Sequence, residues 1–238
     1  MKSIRLLGAT LLASTTLLGA GQAFAASTST NADPASTQTP IQATLSLPTN
    51  GGTNPTPPSP VDPSHPTDPD NPGNKPNNPG GTFGIAYQPD VFNFGTHELA
   101  ESGLQSFAAQ LPTSGDRAFH VGVKDKTREQ KGWTLQATLE GSISQQPGIS
   151  ILVGNGSGEV KENDGTSLVA APVGAVTGRS DVEITTSVAE VMSGSDSFTH
   201  NSVYDYQLGT PTLKIADAKQ VAANTYSGNV NWNLSVAP

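Results

Sequence analysis

Two tryptophans stand in the same tripeptide pattern, and this repetition constrains the fold more than any other feature of the chain. Trp133-Thr134-Leu135 lies in the middle of the sequence, and Trp232-Asn233-Leu234 lies near its end. Each tripeptide belongs to a segment in which apolar and polar residues alternate, at 133–139 and at 229–236. A period of two is typical of a β-strand with one apolar and one polar face. We therefore predict two strands, each of which turns its tryptophan and leucine to one side of a sheet.

Short apolar segments separated by glycine, asparagine, aspartate and proline continue beyond residue 82. We predict strands at 91–94, 118–123, 133–140, 149–153, 182–188, 203–208, 212–215 and 229–236. No long segment has the 3.6-residue period of an amphipathic helix, and 217–223 has room for about two helical turns. Many short strands between turns predict an all-β fold, an antiparallel sandwich or barrel-like domain.

The first 25 residues have the composition of a secretory signal peptide. Lys2 and Arg5 form a basic start, an apolar stretch follows, and Ala23-Phe24-Ala25 fits the cleavage site. The apolar stretch is too short to span a bilayer. The chain has no cysteine, which excludes disulfides and a lipid-modified cysteine. We expect a secreted protein without a transmembrane segment.

A proline-rich extended lead is predicted between the signal peptide and the β domain at 82–238. Residues 26–40 are rich in serine, threonine and alanine and are predicted to be disordered. Residues 41–81 are predicted to hold a short strand at 44–47 and then a polyproline II segment, because prolines recur every third residue over 57–72. Two interpretations remain open. The lead is a stiff spacer, or it is a rod that binds a partner's aromatic groove or lies across the domain's own surface.

The charge of the chain argues against strongly anionic partners. The formal net charge is −8 at pH 7, and loss of Lys2 and Arg5 with the signal peptide would leave −10. Nucleic-acid binding calls for a basic surface, so this composition argues against it. It argues equally against general electrostatic attraction to anionic membranes or anionic wall polymers.

The two tryptophan motifs and their flanking residues resemble those of the WxL-domain surface proteins of low-GC Gram-positive bacteria. The proximal motif runs from Val123 through Lys131-Gly132-Trp133-Thr134-Leu135. The distal motif runs from Tyr226 to Trp232-Asn233-Leu234, and Pro238 follows. The resemblance covers about residues 40–238. It implies a wall-associated protein at the cell surface, held non-covalently through peptidoglycan or an associated polymer and capable of assembly with other surface proteins.

Three groups of residues are candidates for wall contact. The indoles of Trp133 and Trp232 either stack on sugar rings or pack in the core, since each shares its face with other apolar residues. The polar row at 229–235 either hydrogen-bonds sugar hydroxyls, or it faces water or pairs across strands. The basic residues at the predicted turn between two strands either bind carboxylates or phosphates of the wall or form a solvated hairpin tip; they are Lys124, Lys126, Arg128 and Lys131.

Catalysis and cofactors have little support in the sequence. His97-Glu98-Leu99-Ala100-Glu101 begins like a zinc-protease motif, but Glu101 stands where the second histidine belongs. No metal site, cofactor or catalytic residue is predicted. We expect a non-enzymatic binding protein, and the alternatives are a wall-processing hydrolase and a structural subunit that binds only protein.

Overall fold

The computed structural model describes residues 41–48, 51–58, 73–112 and 117–236. The described residues from Ser46 onward belong to one compact unit, and residues 41–45 belong to another, Met1–Leu45. The predicted signal peptide, the predicted disordered N-terminus and most of the proline repeat lie outside the described residues.

The described residues form antiparallel β-structure with two short 3-10 turns, at Ile143–Gln145 and Ala218–Gln220. The all-β class predicted from the sequence is confirmed. The strands are β1 (Asn74–Pro76), β2 (Phe83–Pro89), β3 (Gln105–Ala108), β4 (His120–Asp125), β5 (Trp133–Gly141), β6 (Ile149–Leu152), β7 (Lys161–Asn163), β8 (Leu168–Ala170), β9 (Val176–Gly178), β10 (Glu183–Ile184), β11 (Ala189–Gly194), β12 (Ser202–Gln207), β13 (Thr212–Ile215) and β14 (Gly228–Val236).

The strands make three sheets that share one core. The first sheet has the order β1-β2-β4-β12-β7-β8, the second β10-β6-β13-β3, and the third β14-β5-β11-β9. Neighbouring strands are antiparallel in all three sheets. Each sheet turns one face inward, as alternation requires. The core includes Val121, Trp133, Leu139, Ile151, Ile184, Met192, Tyr204 and Tyr206.

Two predicted strands are absent, because their apolar residues cover the core from a loop or are exposed, and a third is shorter than predicted. Residues 91–94 form no strand; Phe92 packs edge-on against Phe119 with ring centroids 5.1 Å apart, so this segment covers the core as a loop. Of 182–188, only Glu183–Ile184 is a strand. Thr44–Leu47 forms none, and Leu45 is 93% exposed.

β4 is buried over its whole length because it is covered on both faces. Val121 and Val123 enter the main core, while His120, Gly122 and Lys124 alternate to the opposite face. The ring of Tyr87 lies on that face so closely that a Cβ on Gly122 would be 2.3 Å from its Cζ. A larger residue at position 122 would therefore displace the ring, and glycine is required there.

Candidate functional site

The two tryptophan motifs are neighbours in the third sheet. β14 pairs with β5 along nine residues in one unbroken register, which sets Trp232 opposite Ala137, Leu234 opposite Leu135 and Val236 opposite Trp133. Residues directly opposite in a ladder share a face, so the large side chains of both motifs point to the same side. The sequence predicted each strand and its apolar face, but it did not predict that the two strands pair.

Trp133 is a core residue. Its side chain is among the largest that are fully buried, at 1% exposure, and Leu135 beside it is 0% exposed. The indole lies 6.2 Å from the ring of His200 and 6.0 Å from that of Tyr204, between centroids. Its Nε1 has no hydrogen-bond partner among the described residues. Stacking of a sugar on this indole is excluded in this conformation.

A glycine makes room for the Trp133 indole. A Cβ on Gly194, in the neighbouring β11, would lie 2.3 Å from Nε1 and 2.4 Å from Cε2 of Trp133. Since Gly194 is directly opposite Trp133 in the ladder, the indole lies close against the backbone of its partner strand. This arrangement could not be predicted from the sequence, because alternation does not show that β11 pairs with β5.

Trp232 is less enclosed, because β14 is the edge strand of its sheet. Val230, Trp232 and Leu234 are partly buried and pack against the same core. Upstream, the hydroxyl of Tyr226 donates a hydrogen bond of 2.7 Å to the carbonyl of Ala222, which fixes the turn that leads into β14. The distal motif therefore closes the edge of the core.

The outer face of the third sheet is an array of uncharged polar side chains, which we call the polar face. It consists of Asn229, Asn231, Asn233 and Ser235 on β14 and of Thr134, Gln136 and Thr138 on β5. The three asparagines and Ser235 are exposed, and the three residues of β5 are half-buried. None of the seven side chains hydrogen-bonds to another described residue. Their donors and acceptors therefore face solvent, as one of the predicted alternatives has it.

Charge is confined to the margins of the polar face. Glu140 is opposite Asn229 at one end, and Glu190 is opposite Gln136 on the β11 side. The carboxylate of Glu190 forms an ion pair with Arg179, whose Nε lies 3.1 Å from Oε1. The centre of the face thus offers amides and hydroxyls without a net charge.

The four predicted basic contacts do not form one surface. β4 belongs to the first sheet and β5 to the third, so the segment between them crosses from sheet to sheet and is not a hairpin tip. Lys124 is buried, and its ammonium donates to the carbonyls of Gly52 and Pro79 at 3.2 Å each. Burial, followed by the charge of Lys126, lowers the pKa of Lys124. The side chain of Lys124 is therefore not exposed for the wall contact predicted from the sequence.

The other three cations of that group lie nearer to solvent, and each already has a partner. Lys126 donates to the carbonyl of Thr53 at 3.0 Å. Nε of Arg128 lies 3.5 Å from Oδ1 of Asn201. Lys131 pairs with Glu129 at 2.7 Å, and this hydrogen bond raises the pKa of Lys131. The arrangement agrees with local pairing on a solvated loop.

A buried polar network on the covered face of the first sheet was missed from the sequence. His120 Nδ1 lies 2.9 Å from Oδ2 of Asp205, and the hydroxyl of Tyr87 donates to Oδ1 of Asp205 at 2.8 Å. Asn163 donates to the Tyr87 hydroxyl at 3.3 Å. Burial and then the charge of Asp205 raise the pKa of Tyr87 far above its usual range. The one available signal was Asp205 itself, a carboxylate between two tyrosines of an apolar strand.

The part of the lead at residues 51–58 lies on the domain's own surface. Its carbonyls accept hydrogen bonds from side chains in or next to the first sheet: Gly52 from Lys124, Thr53 from Lys126, Thr56 from Asn163 and Pro58 from Asn74. Extended proline-rich backbone makes no internal hydrogen bonds, so its carbonyls need such donors. Pro55 is buried in this arrangement. Residues 51–58 thus lie along the domain surface, whereas the proline repeat from which the rod was predicted lies outside the described residues except for Pro57.

An apolar groove of about 650 Å³ lies beside the second sheet. His97 stacks on Phe107 there, with ring centroids 4.0 Å apart, and its Nε2 hydrogen-bonds to the carbonyl of Phe94. Glu98 is the single carboxylate in the described lining of the groove. Glycoside hydrolysis generally uses two carboxylates, so this groove lacks the usual pair. Among the described residues, no cluster of histidine and acidic side chains fits a metal ion.

Comparison with known proteins gives one match. The family model described as WxL domain, surface cell wall-binding, matches residues 15–238. The resemblance seen in the tryptophan motifs is thereby confirmed. No curated protein and no solved structure matches the chain. Within the described ranges, no helix has the length and apolar character needed to cross a membrane.

Proposed function

The chain belongs to the WxL family of surface cell wall-binding domains, and from this premise we propose that it binds the glycan of peptidoglycan non-covalently through the polar face. The proposal includes export by the N-terminal signal and retention at the wall without catalysis. The observation that carries it is the row of seven uncharged side chains that have no partner among the described residues.

The chemistry of the polar face suits a neutral polysaccharide. Each asparagine or glutamine amide supplies two donors and an acceptor, and each serine or threonine hydroxyl supplies one donor and two acceptor positions. Sugar hydroxyl and acetamido groups need the same mixture of donors and acceptors. Side chains on one face recur about 7 Å apart along a strand and about 5 Å apart between strands, which gives a regular flat array.

The charge of the protein favours the same ligand. A chain of net charge −8 is repelled by an anionic wall polymer unless a local basic surface compensates. Of the four candidate cations, Lys124 is buried and the other three have partners. A neutral glycan avoids this repulsion, and it meets no charge at the centre of the polar face.

Pull-down on purified, protein-free sacculi tests the proposal. The first variant is Gln136→Ala/Asn231→Ala/Asn233→Ala, which removes three amides from the polar face and keeps the apolar face intact. We expect binding to fall about tenfold or more, as the loss of several hydrogen bonds implies. The matched control is Gln130→Ala/Gln145→Ala, which removes two exposed amides elsewhere and should leave binding unchanged.

The basic loop is tested in parallel with Lys126→Gln/Arg128→Gln/Lys131→Gln. If a carboxylate or phosphate of the wall docks there, this variant loses binding and the salt dependence of what remains weakens. Unchanged binding by the amide variant, together with loss in the basic-loop variant, would refute the polar face as the binding surface. Absence of any binding to protein-free sacculi would instead favour a subunit that binds only protein, and cleared bands in peptidoglycan zymography would favour a hydrolase.

A further inference from the structure

We propose that the outer edge of β14 pairs with β14 of a second copy of this chain, antiparallel and centred on Trp232, to form a two-fold dimer. β14 is nine residues long and ends its sheet. On its other side it bonds to β5 in an unbroken register, and no described residue outside β5 forms a ladder with it. One row of its backbone amides and carbonyls therefore faces outward.

This edge has none of the usual protection against pairing. Natural sheet edges are kept apart by short length, proline, charged side chains or bulges. The five other edge strands of the described sheets are short: β8 and β9 have three residues each, β10 has two, β3 has four, and β1 has three that include Lys75 and Pro76. β14 has neither proline nor charge in Gly228–Val236, and its ladder with β5 contains no bulge. Its length and neutrality single it out as an edge built to receive a strand.

A second copy fits this edge because the sequence of β14 is complementary to itself. With Trp232 opposite its counterpart, Val230 stands opposite Leu234 and Asn231 opposite Asn233 of the other chain. Apolar residues thus meet apolar residues on the inner face, and amides meet amides on the outer face. Cross-strand pairs of this kind, including two aromatic rings, stabilise a ladder.

Charge and burial also favour a second copy of the chain as the partner of this edge. Two copies that each carry a net charge of −8 repel one another except where the meeting surfaces are neutral, and β14 is neutral throughout. Val230, Trp232 and Leu234 are only partly buried, and Val236 is 50% exposed. An added strand would cover the open side of these four residues. A two-fold contact of this type closes on itself, so it gives a dimer and not a fibre.

The dimer would join two four-stranded sheets into one of eight strands. Its two polar faces would then lie on one continuous surface. This consequence rests on the proposed function, since a doubled face would strengthen wall binding through bivalency. The edge pairing itself depends only on β14, so its test measures oligomeric state and not wall binding.

Sedimentation velocity of the purified protein over a range of concentrations tests the pairing. We expect a monomer–dimer equilibrium for the wild type. Asn231→Lys/Asn233→Lys should weaken dimerisation by about tenfold or more, since each lysine would face a lysine across the new ladder. The control is Thr177→Lys/Ser193→Lys, which adds the same charge to the outer face of the same sheet toward its far edge and should leave the equilibrium unchanged.

Charge reversal tests the register. Asn231→Asp/Asn233→Asp alone should also be monomeric, and an equimolar mixture with the lysine variant should restore the dimer, because every lysine would then face an aspartate. Thermal melts by circular dichroism establish that all variants are folded. A wild type that stays monomeric up to high concentration, a lysine variant that dimerises like the wild type, or a mixture without restored dimer would each overturn the proposal.

Discussion

The two tryptophans provide a matched comparison, because the same side chain stands in the same motif at two different depths. Trp133 lies on an interior strand at 1% exposure, and Trp232 lies partly buried on the edge strand. Truncation of a fully buried tryptophan to alanine generally costs about 3–5 kcal/mol. We expect that full cost for Trp133→Ala, since the indole fills the space between β5, β11 and the rings of His200 and Tyr204.

Trp232→Ala should cost less, about 2–3 kcal/mol, since its side chain is only partly buried and no described strand lies beyond β14. The free energies of unfolding are measured by urea titration, with far-ultraviolet circular dichroism as the signal because the substitutions remove the fluorophores. For a protein of ordinary stability, the larger loss is a large fraction of the total. The midpoint should fall more for Trp133→Ala, with similar m-values for both variants.

Equal losses for the two variants, or a larger loss for Trp232→Ala, would refute the assignment of Trp133 to the core. Sacculus binding by the same proteins gives a second check. If Trp133→Ala kept wild-type stability and yet lost the wall, the indole would be a ligand contact and the burial argument would fail.

Three further predictions concern the covered face of the first sheet and the dependence of stability on pH under acid conditions. Asp205→Ala should lower the free energy of unfolding by about 3–5 kcal/mol in urea titration, because it removes the carboxylate to which buried His120 and Tyr87 bond. Tyr87→Phe should lower it by about 1–3 kcal/mol. A smaller loss for Asp205→Ala than for Tyr87→Phe would contradict the network. Lys124→Met should speed proteinase K cleavage within residues 51–58, since the hydrogen bond to the Gly52 carbonyl is lost, whereas Lys131→Met at an exposed position should not. Equal cleavage rates would contradict the role of Lys124 in holding this segment. Hydrogen bonds from the side chain and amide of Thr166 and the amide of Ser167 lower the pKa of Asp164 to about 2. The contribution of Asp164 to stability is therefore complete above about pH 4 and is lost as the pH falls towards 2. Asp164→Ala should flatten the dependence of the free energy of unfolding on pH over this range, and an unchanged dependence would refute the assignment.

The strands that alternation predicted are those whose two faces meet different surroundings. β5, β13 and β14 match the predicted ranges closely, because each turns apolar residues to the core and polar residues outward. Alternation identifies such a strand without any knowledge of its partners. β11 gave no clear pattern, since a bulge between Glu190 and Met192 interrupts its period.

Lys124 shows why the candidate site was predicted only in part. In the sequence it is one of several lysines and arginines near a turn, and lysine is usually exposed. Its ammonium bonds to the carbonyl of Gly52, which lies more than seventy positions upstream in the chain, and to that of Pro79. No local pattern contains that information. The polar face, by contrast, was visible as the row at 229–235, and only its continuation onto Thr134, Gln136 and Thr138 required the strand pairing.

The most direct test of the account is the binding isotherm of the purified protein on sacculi stripped of protein and of teichoic acid. We expect saturable retention that changes little between low and high salt, because neutral hydrogen-bonding groups make the contact. We also expect that Gln136→Ala/Asn231→Ala/Asn233→Ala loses this retention while its urea midpoint stays near that of the wild type. Retention that disappears with the teichoic acid, or that falls steeply with salt while the amide variant binds normally, would contradict the account.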